Sequence, residues 1–164
     1  MGRWIAGLGL WAGLGGVATA GAEPLCPADA RVFFACGVKG GKRVAICGDA
    51  DPAAAGARVV YRFGKPGAVE LERVLRGAGA PGPAFFAEDT HAASISLAVG
   101  FDVGDVRTTV YDQETLGTAS QNGAGVLVEL GRGSAAARTV SIPCLPGPRT
   151  LDLQPLQPVL AARP

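Results

Sequence analysis

Few residues of this chain are placed in a pattern that suggests a catalytic site. His91 is the only histidine among 164 residues, and Asp89 lies two positions before it in a stretch rich in glycine and proline. Glu70 and Glu72 would project from the same face of a strand, as paired carboxylates must if they share acid and base roles. A hydrolase that uses Glu70, Glu72 or Asp89 is therefore one hypothesis. A solvated strand face and a surface histidine explain the same residues.

Metal and cofactor chemistry has little support in the sequence. Asp49 with Asp51, and Asp102 with Asp105, offer two carboxylates per loop, whereas calcium sites need several oxygen ligands that converge. Turn formation explains these aspartates more simply. No nucleotide-binding, zinc-protease or serine-hydrolase motif is present. The sequence therefore predicts no metal and no cofactor, and it identifies no catalytic residue.

The N-terminus has the layout of a signal peptide. Arg3 provides a positive charge ahead of a long apolar stretch without charges. Small residues permit cleavage after Ala20 or after Ala22, and we favour Ala22, which gives a signal peptide of residues 1–22. An uncleaved anchor is the alternative, since the apolar stretch approaches the roughly 20 residues that span a bilayer. Its many glycines weaken it as a permanent helix, so we expect a periplasmic or secreted protein with no membrane span after cleavage.

Removal of residues 1–22 would leave about 142 residues, the size of one domain. Arg3 would leave with the signal peptide, so that 14 basic residues face 14 acidic ones and the net charge is about zero. A balanced charge does not favour nucleic acid or an anionic membrane as a partner. Both tryptophans, Trp4 and Trp11, would also be removed.

The four cysteines predict two disulfides, because an even number in an exported chain is typical of a disulfide framework. They are Cys26, Cys36, Cys47 and Cys144, spaced 10, 11 and 97 residues apart. Zinc sites pair ligands two to four residues apart, so these spacings do not indicate zinc.

The sequence does not fix the pairing of the cysteines. A tight turn centred on Gly40-Gly41 would place Cys36 and Cys47 on one face as diagonal neighbours, roughly 7 Å apart, at the limit of what a disulfide can bridge. We therefore favour Cys26 bonded to one strand of this hairpin and Cys144 bonded to the other. A Cys36–Cys47 bond is the alternative if the turn is longer.

Alternating apolar and polar residues predict short strands separated by turns. The predicted strands are 31–38, 43–47, 58–63, 68–75, 94–99, 105–111, 126–130 and 137–142, and 68–75 could instead form a short helix. About eight short strands at close spacing predict an all-β domain over residues 23–144. Its expected architecture is a small antiparallel sandwich or barrel stapled by disulfides.

Two segments are predicted to lack regular structure. Residues 77–91 contain several glycines and prolines followed by Phe85-Phe86, which predicts a long loop with an aromatic plug. Residues 145–164 are rich in proline and are expected to form a C-terminal tail with little order.

The first part of the predicted domain carries a pattern of short motifs. The pattern comprises Arg31 to Cys36, Gly41-Lys42, Cys47, Val60-Tyr-Arg-Phe-Gly64 and Val69-Glu-Leu71. Over residues 26–75 it resembles a family of small uncharacterised exported (periplasmic) proteins of Gram-negative bacteria. Gly40 stands where that family commonly has Asn, and the later half of the chain matches only loosely. The resemblance implies an exported β-protein and supplies no catalytic residues.

The sequence leads to two functional hypotheses of different classes. The first is a non-catalytic envelope binding or inhibitor-type module whose partner, a protein or a glycan, is unknown. The Phe34-Ala-Cys36 hairpin start resembles the small β-barrel lysozyme inhibitors at the level of fold alone, and their Ser-Gly loop is not visible here. The second is the carboxylate-dependent extracytoplasmic hydrolase described above.

Overall fold

The computed structural model describes residues 25–115 and 123–162. The predicted signal peptide, residues 1–22, lies outside the described residues. Within them, no helix is long and apolar enough to cross a membrane.

The described chain is built from β-strands in two sheets. The strands are β1 (Arg31–Val38), β2 (Lys42–Gly48), β3 (Val59–Lys65), β4 (Ala68–Arg76), β5 (Ala84–His91), β6 (Ser94–Val103), β7 (Val106–Thr115), β8 (Gly123–Leu130), β9 (Arg138–Pro143), β10 (Thr150–Leu151) and β11 (Ala161–Ala162). The first sheet has the order β10-β1-β2-β3-β4, and the second sheet has the order β11-β5-β6-β7-β8-β9. The predicted all-β, disulfide-stapled sandwich is confirmed, with more strands than the eight expected.

Apolar side chains from the inner faces of both sheets form one core between them. The buried residues of this core include Phe34, Val38, Val44, Ile46, Val59, Phe86, Val99, Val110 and Val126. Tyr61 of the first sheet packs against Phe101 of the second, with ring centroids 5.1 Å apart. Burial raises the pKa of the Tyr61 phenol, because the core disfavours the phenolate.

Two disulfides fasten the sandwich, and they follow the pairing that the sequence favoured. Cys26 bonds to Cys47 of β2. Cys36 of β1 bonds to Cys144, which directly follows β9. The second bond therefore joins the first sheet to the end of a strand of the second sheet.

The expected register of the first hairpin is wrong by one residue. Val38 pairs with Lys42, so the turn contains three residues, and Cys36 lies opposite Val44. Cys36 consequently packs in the core between the sheets, whereas Cys47 packs on the outer face of the first sheet. The two cysteines point to opposite faces, which rules out the alternative Cys36–Cys47 bond.

The structure decides between strand and helix for β4, and it corrects the loop predicted where β5 lies. Residues 68–76 form a strand and not a short helix. The loop predicted over residues 77–91 is wrong from Ala84 onwards, because β5 pairs with both β6 and β11. Phe85 and Phe86 are buried on opposite faces of the strand. With both faces apolar, β5 lacks the alternation that indicated the other strands.

Residues 145–162 have only short regular elements, as expected, but the expectation of a frayed tail after Cys144 is wrong for them. Residues 145–162, here called the C-terminal strap, run from β10, which pairs with β1, to β11, which pairs with β5. A 3₁₀ turn at Gln154–Leu156 lies between them, and Leu153 and Leu156 are buried in the core. Single leucines separated by prolines produce no helix or strand period, so the sequence pattern did not reveal these anchors.

Besides the β11–β5 pairing, hydrogen bonds with the first sheet hold the C-terminal strap in place. The Leu145 amide donates to the Gly37 carbonyl, and the Asp152 amide donates to the Phe33 carbonyl, both at 2.8 Å. Farther along, Nη1 of Arg76 donates a hydrogen bond to the Val159 carbonyl at 3.0 Å. The strap thus crosses from the β1 side of the sandwich to the β5 side.

Shortening a leucine of the strap tests whether it belongs to the core. Leu156→Ala removes a side chain with no exposed surface, and we expect the free energy of unfolding to fall by about 2–5 kcal/mol. Leu145→Ala, whose side chain is 46% exposed, is the matched control and should change it by less than about 0.5 kcal/mol. Denaturant unfolding of the oxidised protein measures both. Equal, small effects would mean that the strap is frayed.

Candidate functional site

The outer face of the second sheet carries a shallow groove of about 350 Å³. It is lined by Ala87, Asp89, Ser96, Ala98, Thr109, Tyr111, Gln113 and Leu127, and we call it the second-sheet groove. Pairing across β5, β6 and β7 aligns Ala87 with Ala98 and Tyr111, and the next row aligns Asp89 with Ser96 and Gln113. The alternation of β6 produces this arrangement, since its large apolar residues face the core and its small residues face outward.

Tyr111 is the one aromatic side chain that lines the second-sheet groove. It lies on β7 opposite Gly125 of β8. A Cβ placed at Gly125 would lie 3.1 Å from the Tyr111 hydroxyl oxygen and 2.6 Å from the Ile142 carbonyl oxygen. Glycine is therefore needed at this position chiefly because the backbone of β9 approaches it closely, and the Tyr111 hydroxyl lies just beyond.

A cluster of aromatic and charged groups lies beside the groove on the same face. A Cβ placed at Gly100 would lie 2.7 Å from Cε1 of Phe85 and closer still to Cζ, so the Phe85 ring covers Gly100. The Arg107 guanidinium lies 4.7 Å from the centroid of that ring, a cation–π geometry. We call Phe85, Gly100, Asp102 and Arg107 the Phe85 cluster.

Arginines on two sides hold Asp102 in its charged form. Arg107 donates two hydrogen bonds to its carboxylate, at 2.8 and 3.0 Å, and Arg132 forms an ion pair with it at 2.9 Å. The hydrogen bond from Arg107 is the main reason that the pKa of Asp102 falls from 3.8 to about 2. The same contact raises the pKa of Arg107, so this pair remains ionised at neutral pH.

The first sheet carries a smaller pocket of about 170 Å³ beside the Cys26–Cys47 bond. Arg58 and Arg62 line it together with Asp29 and Asp49. Arg62 donates to the Leu25 carbonyl and to Glu72, each at 2.9 Å. These bonds tie the N-terminal segment to the first sheet. The presence of Arg62 in this pocket is therefore explained by a structural role.

The three carboxylates of the hydrolase hypothesis do not meet at one site. Glu70 and Glu72 belong to β4 of the first sheet. Glu70 pairs with Lys42 at 2.7 Å, and Glu72 pairs with Arg62 at 2.9 Å. Asp89 lies on the other sheet, in the second-sheet groove. Each carboxylate therefore has its own surroundings.

His91 and Asp89 lie within hydrogen-bonding distance of each other on the surface of the second sheet. His91 Nε2 lies 3.2 Å from an Asp89 carboxylate oxygen, and both side chains are largely exposed. Ser94 lies opposite His91, and Ser96 lies opposite Asp89. A hydrolytic triad needs a hydrogen bond from the serine hydroxyl to the imidazole. Among the described residues, the side-chain contact of His91 is with Asp89 and not with either serine.

Three of the four aspartates considered as calcium ligands, Asp49, Asp51 and Asp102, have other roles. Asp51 accepts a hydrogen bond from the Ala53 amide at 2.9 Å, and Asp49 accepts one from the Arg58 amide at 2.8 Å. Both are interactions of turn and loop structure. Asp102 binds arginines, as described above. In the part of the chain that the structure describes, no group of three or more His, Cys, Asp or Glu side chains could hold a metal ion.

Sequence reasoning missed the second-sheet groove because its residues belong to no motif. Alanine, serine and threonine are common at outward strand positions, and each alone carries no information about binding. The available signal was their succession, since Ser94, Ser96, Ala98 and Gly100 leave one side of β6 without a large side chain. An open platform along this strand is the structural result.

Glycine at position 100 can be tested with a matched glycine of the same sheet. Gly100→Ala would push a methyl group into the Phe85 ring, and we expect a loss of stability of about 1–3 kcal/mol from overpacking. In Gly123→Ala, the new Cβ would meet nothing within 4 Å, so stability should be nearly unchanged. Thermal or denaturant unfolding compares the two variants. Equal effects would contradict the described packing of Phe85 on Gly100.

The Asp102 network predicts a specific acid dependence of stability. Because folding lowers the pKa of Asp102, its contribution is full above the ordinary pKa of 3.8 and is lost as the pH falls through about 2. Asp102→Asn should therefore be less stable than the wild type at neutral pH, with a difference that shrinks below pH 4. The effect is modest because the carboxylate is 42% exposed. A difference that stays constant down to pH 2 would contradict the assignment.

No protein-family model, curated protein or solved structure matches the chain. The disulfides indicate an oxidising compartment outside the cytoplasm, because such bonds are rare where thiols are kept reduced. Indications of function thus come from this compartment and from the second-sheet groove.

Proposed function

We propose that the protein is a non-catalytic glycan-binding module of the periplasm or extracellular medium of a Gram-negative bacterium. The second-sheet groove is its binding surface. The observation that carries this proposal is the single ring of Tyr111 set among small and hydrogen-bonding side chains on an open sheet face. The two disulfides support an oxidising compartment outside the cytoplasm.

The side chains of the groove match the two kinds of surface that a sugar ring presents. A pyranose has an apolar face of C–H groups and a rim of hydroxyls. Tyr111 offers an aromatic surface for the C–H face and a hydroxyl for hydrogen bonding. Asp89 and Gln113 at the exposed end supply acceptors and donors for the sugar hydroxyls.

Shape supports a small extended ligand. The groove volume of about 350 Å³ lies at the lower end of the roughly 300–1,000 Å³ of ligand sites. Ala87 and Ala98 line its middle row, where larger residues would fill the space that a sugar ring needs. Because the groove is open, a longer glycan can continue along the sheet.

A glycan fits this surface better than a folded protein ligand does. Binding energy between proteins is concentrated in clusters of large residues such as Trp, Tyr and Arg. The groove has two large side chains able to anchor a partner, Tyr111 and Leu127, among small ones. The chemistry of the surface is therefore that of weak, polar recognition.

Replacing Tyr111 tests the binding surface. Tyr111→Ala should weaken binding of soluble peptidoglycan and envelope polysaccharide fragments by roughly tenfold or more, because the stacking surface is lost. Tyr111→Phe retains the ring and should keep most of the affinity. Val69→Ala, which alters an exposed residue of the first sheet (45% exposed), should bind like the wild type. Titration calorimetry or NMR titration measures all four proteins.

Two results would count against the proposal. If the wild type binds none of these fragments, or if Tyr111→Ala binds them with unchanged affinity, the groove is not a glycan site. Release of shortened fragments during the titration would instead favour the hydrolase hypothesis, with Asp89 as the first carboxylate to replace.

A further inference from the structure

The edges of the two sheets are protected unequally. An exposed edge offers unpaired backbone groups to any other strand, and proteins usually guard edges by shortening, charging or bulging them. Among the described residues, β10 and β11 are edges of two residues each. The edge strand β4 has register shifts against β3 and carries Glu70 and Glu72. The edge strand β9 has six residues and no charged residue after Arg138.

The outward-pointing peptide groups of β9 can be assigned from its contacts with β8. The Cys144 amide donates to the Ala124 carbonyl at 2.8 Å. Because N–H and C=O groups alternate in direction along an antiparallel strand, Ile142 and Val140 also face β8. Thr139 and Ser141 therefore direct their peptide groups away from the sheet, and both residues are exposed.

We propose that β9 pairs with β9 of a second copy of this chain, antiparallel about a twofold axis centred on Val140. Thr139 of one copy then lies opposite Ser141 of the other. Each of these pairs exchanges both hydrogen bonds, so every outward peptide group of the two residues is satisfied. Val140, which is 43% exposed, packs against Val140 of the second copy.

Other twofold registers satisfy fewer groups. An axis centred on Ser141 places Thr139 opposite Pro143, which has no N–H to donate. An axis centred on Thr139 places Ser141 opposite Ala137, which precedes β9. Val140 is the centre at which Thr139 and Ser141 of each copy both exchange complete pairs of hydrogen bonds.

Charge also permits the copies to pair through β9. Arg138 is the charged residue of the strand, and in this register it lies opposite Ile142 and not opposite its own copy. Like charges directly across a strand pair would be destabilising, and this register avoids them. Because a twofold pairing uses β9 once and the other edges are guarded, assembly stops at a dimer.

Cysteine substitution tests both the pairing and its register. In Val140→Cys, the two new thiols would face each other at a non-hydrogen-bonded position with Cα atoms roughly 4.5 Å apart, close enough for a disulfide. We expect a covalent dimer by intact mass without reductant. Thr139→Cys is the matched control, since its thiol would face Ser141 of the other copy, and it should remain uncrosslinked. Equal crosslinking of the two variants overturns the register.

Proline substitution tests the hydrogen bonds without a new thiol. Ser141→Pro removes an outward N–H and leaves the bonds to β8 in place, so we expect a monomer by sedimentation where the wild type is a dimer. An unfolding midpoint close to that of the wild type shows that the variant is folded. A wild type that remains monomeric at all concentrations overturns the proposal. Pairing of β9 with a strand of a different protein, in a wild type that does not dimerise, also overturns the proposal.

Discussion

Contact between the inner faces of the two sheets is the constraint on which the rest of this structure depends. Each sheet has one apolar face, and isolated sheets of this size have no other means of removing it from water. Phe34 and Ile46 of the first sheet and Val99 and Val126 of the second are buried in the shared core. The Cys36–Cys144 bond fixes the sheets where this contact is made, and the leucines of the C-terminal strap complete it.

One face of each sheet forms the core, so the two outer faces are open to other interactions. The two outer faces differ in what covers them. The N-terminal segment covers part of the first sheet, where Cys26–Cys47 and the Arg62 bond to the Leu25 carbonyl hold it. The outer face of the second sheet carries the Phe85 cluster and the open second-sheet groove. This asymmetry is why the second sheet is the better candidate for recognition.

Local alternation predicted the strands that have one apolar face and failed for the elements that do not. The pattern of β6 was readable because Ile95, Leu97 and Val99 alternate with Ser and Ala. Strand β5 was missed because Phe85 and Phe86 are buried on opposite faces, one in the Phe85 cluster and one in the core. No local rule can show that Gly100, distant in sequence, makes room for an aromatic ring on the outer face.

Long-range relations were predicted only where geometry was restrictive. The disulfide pairing was preferred correctly, although the hairpin register behind that preference was off by one residue. The C-terminal strap was missed since proline lowers every local propensity, while the burial of Leu156 depends on a site formed by both sheets. The sequence likewise did not predict the groove, because it forms where neighbouring strands carry small side chains in place of large ones.

The linkage of the two disulfides has a consequence for cleavage by proteases, which exported proteins encounter outside the cytoplasm. Cys26 is joined to Cys47, and Cys36 to Cys144, so the two closed loops overlap between residues 36 and 47. A single peptide bond cut anywhere between Cys26 and Cys144 therefore leaves the two fragments covalently joined. Exposed turns such as Gly131 to Gly133 can be nicked without release of either part, and the paired strands hold the cut ends in register. Loss of a piece of the domain requires at least a second cut within the same loop.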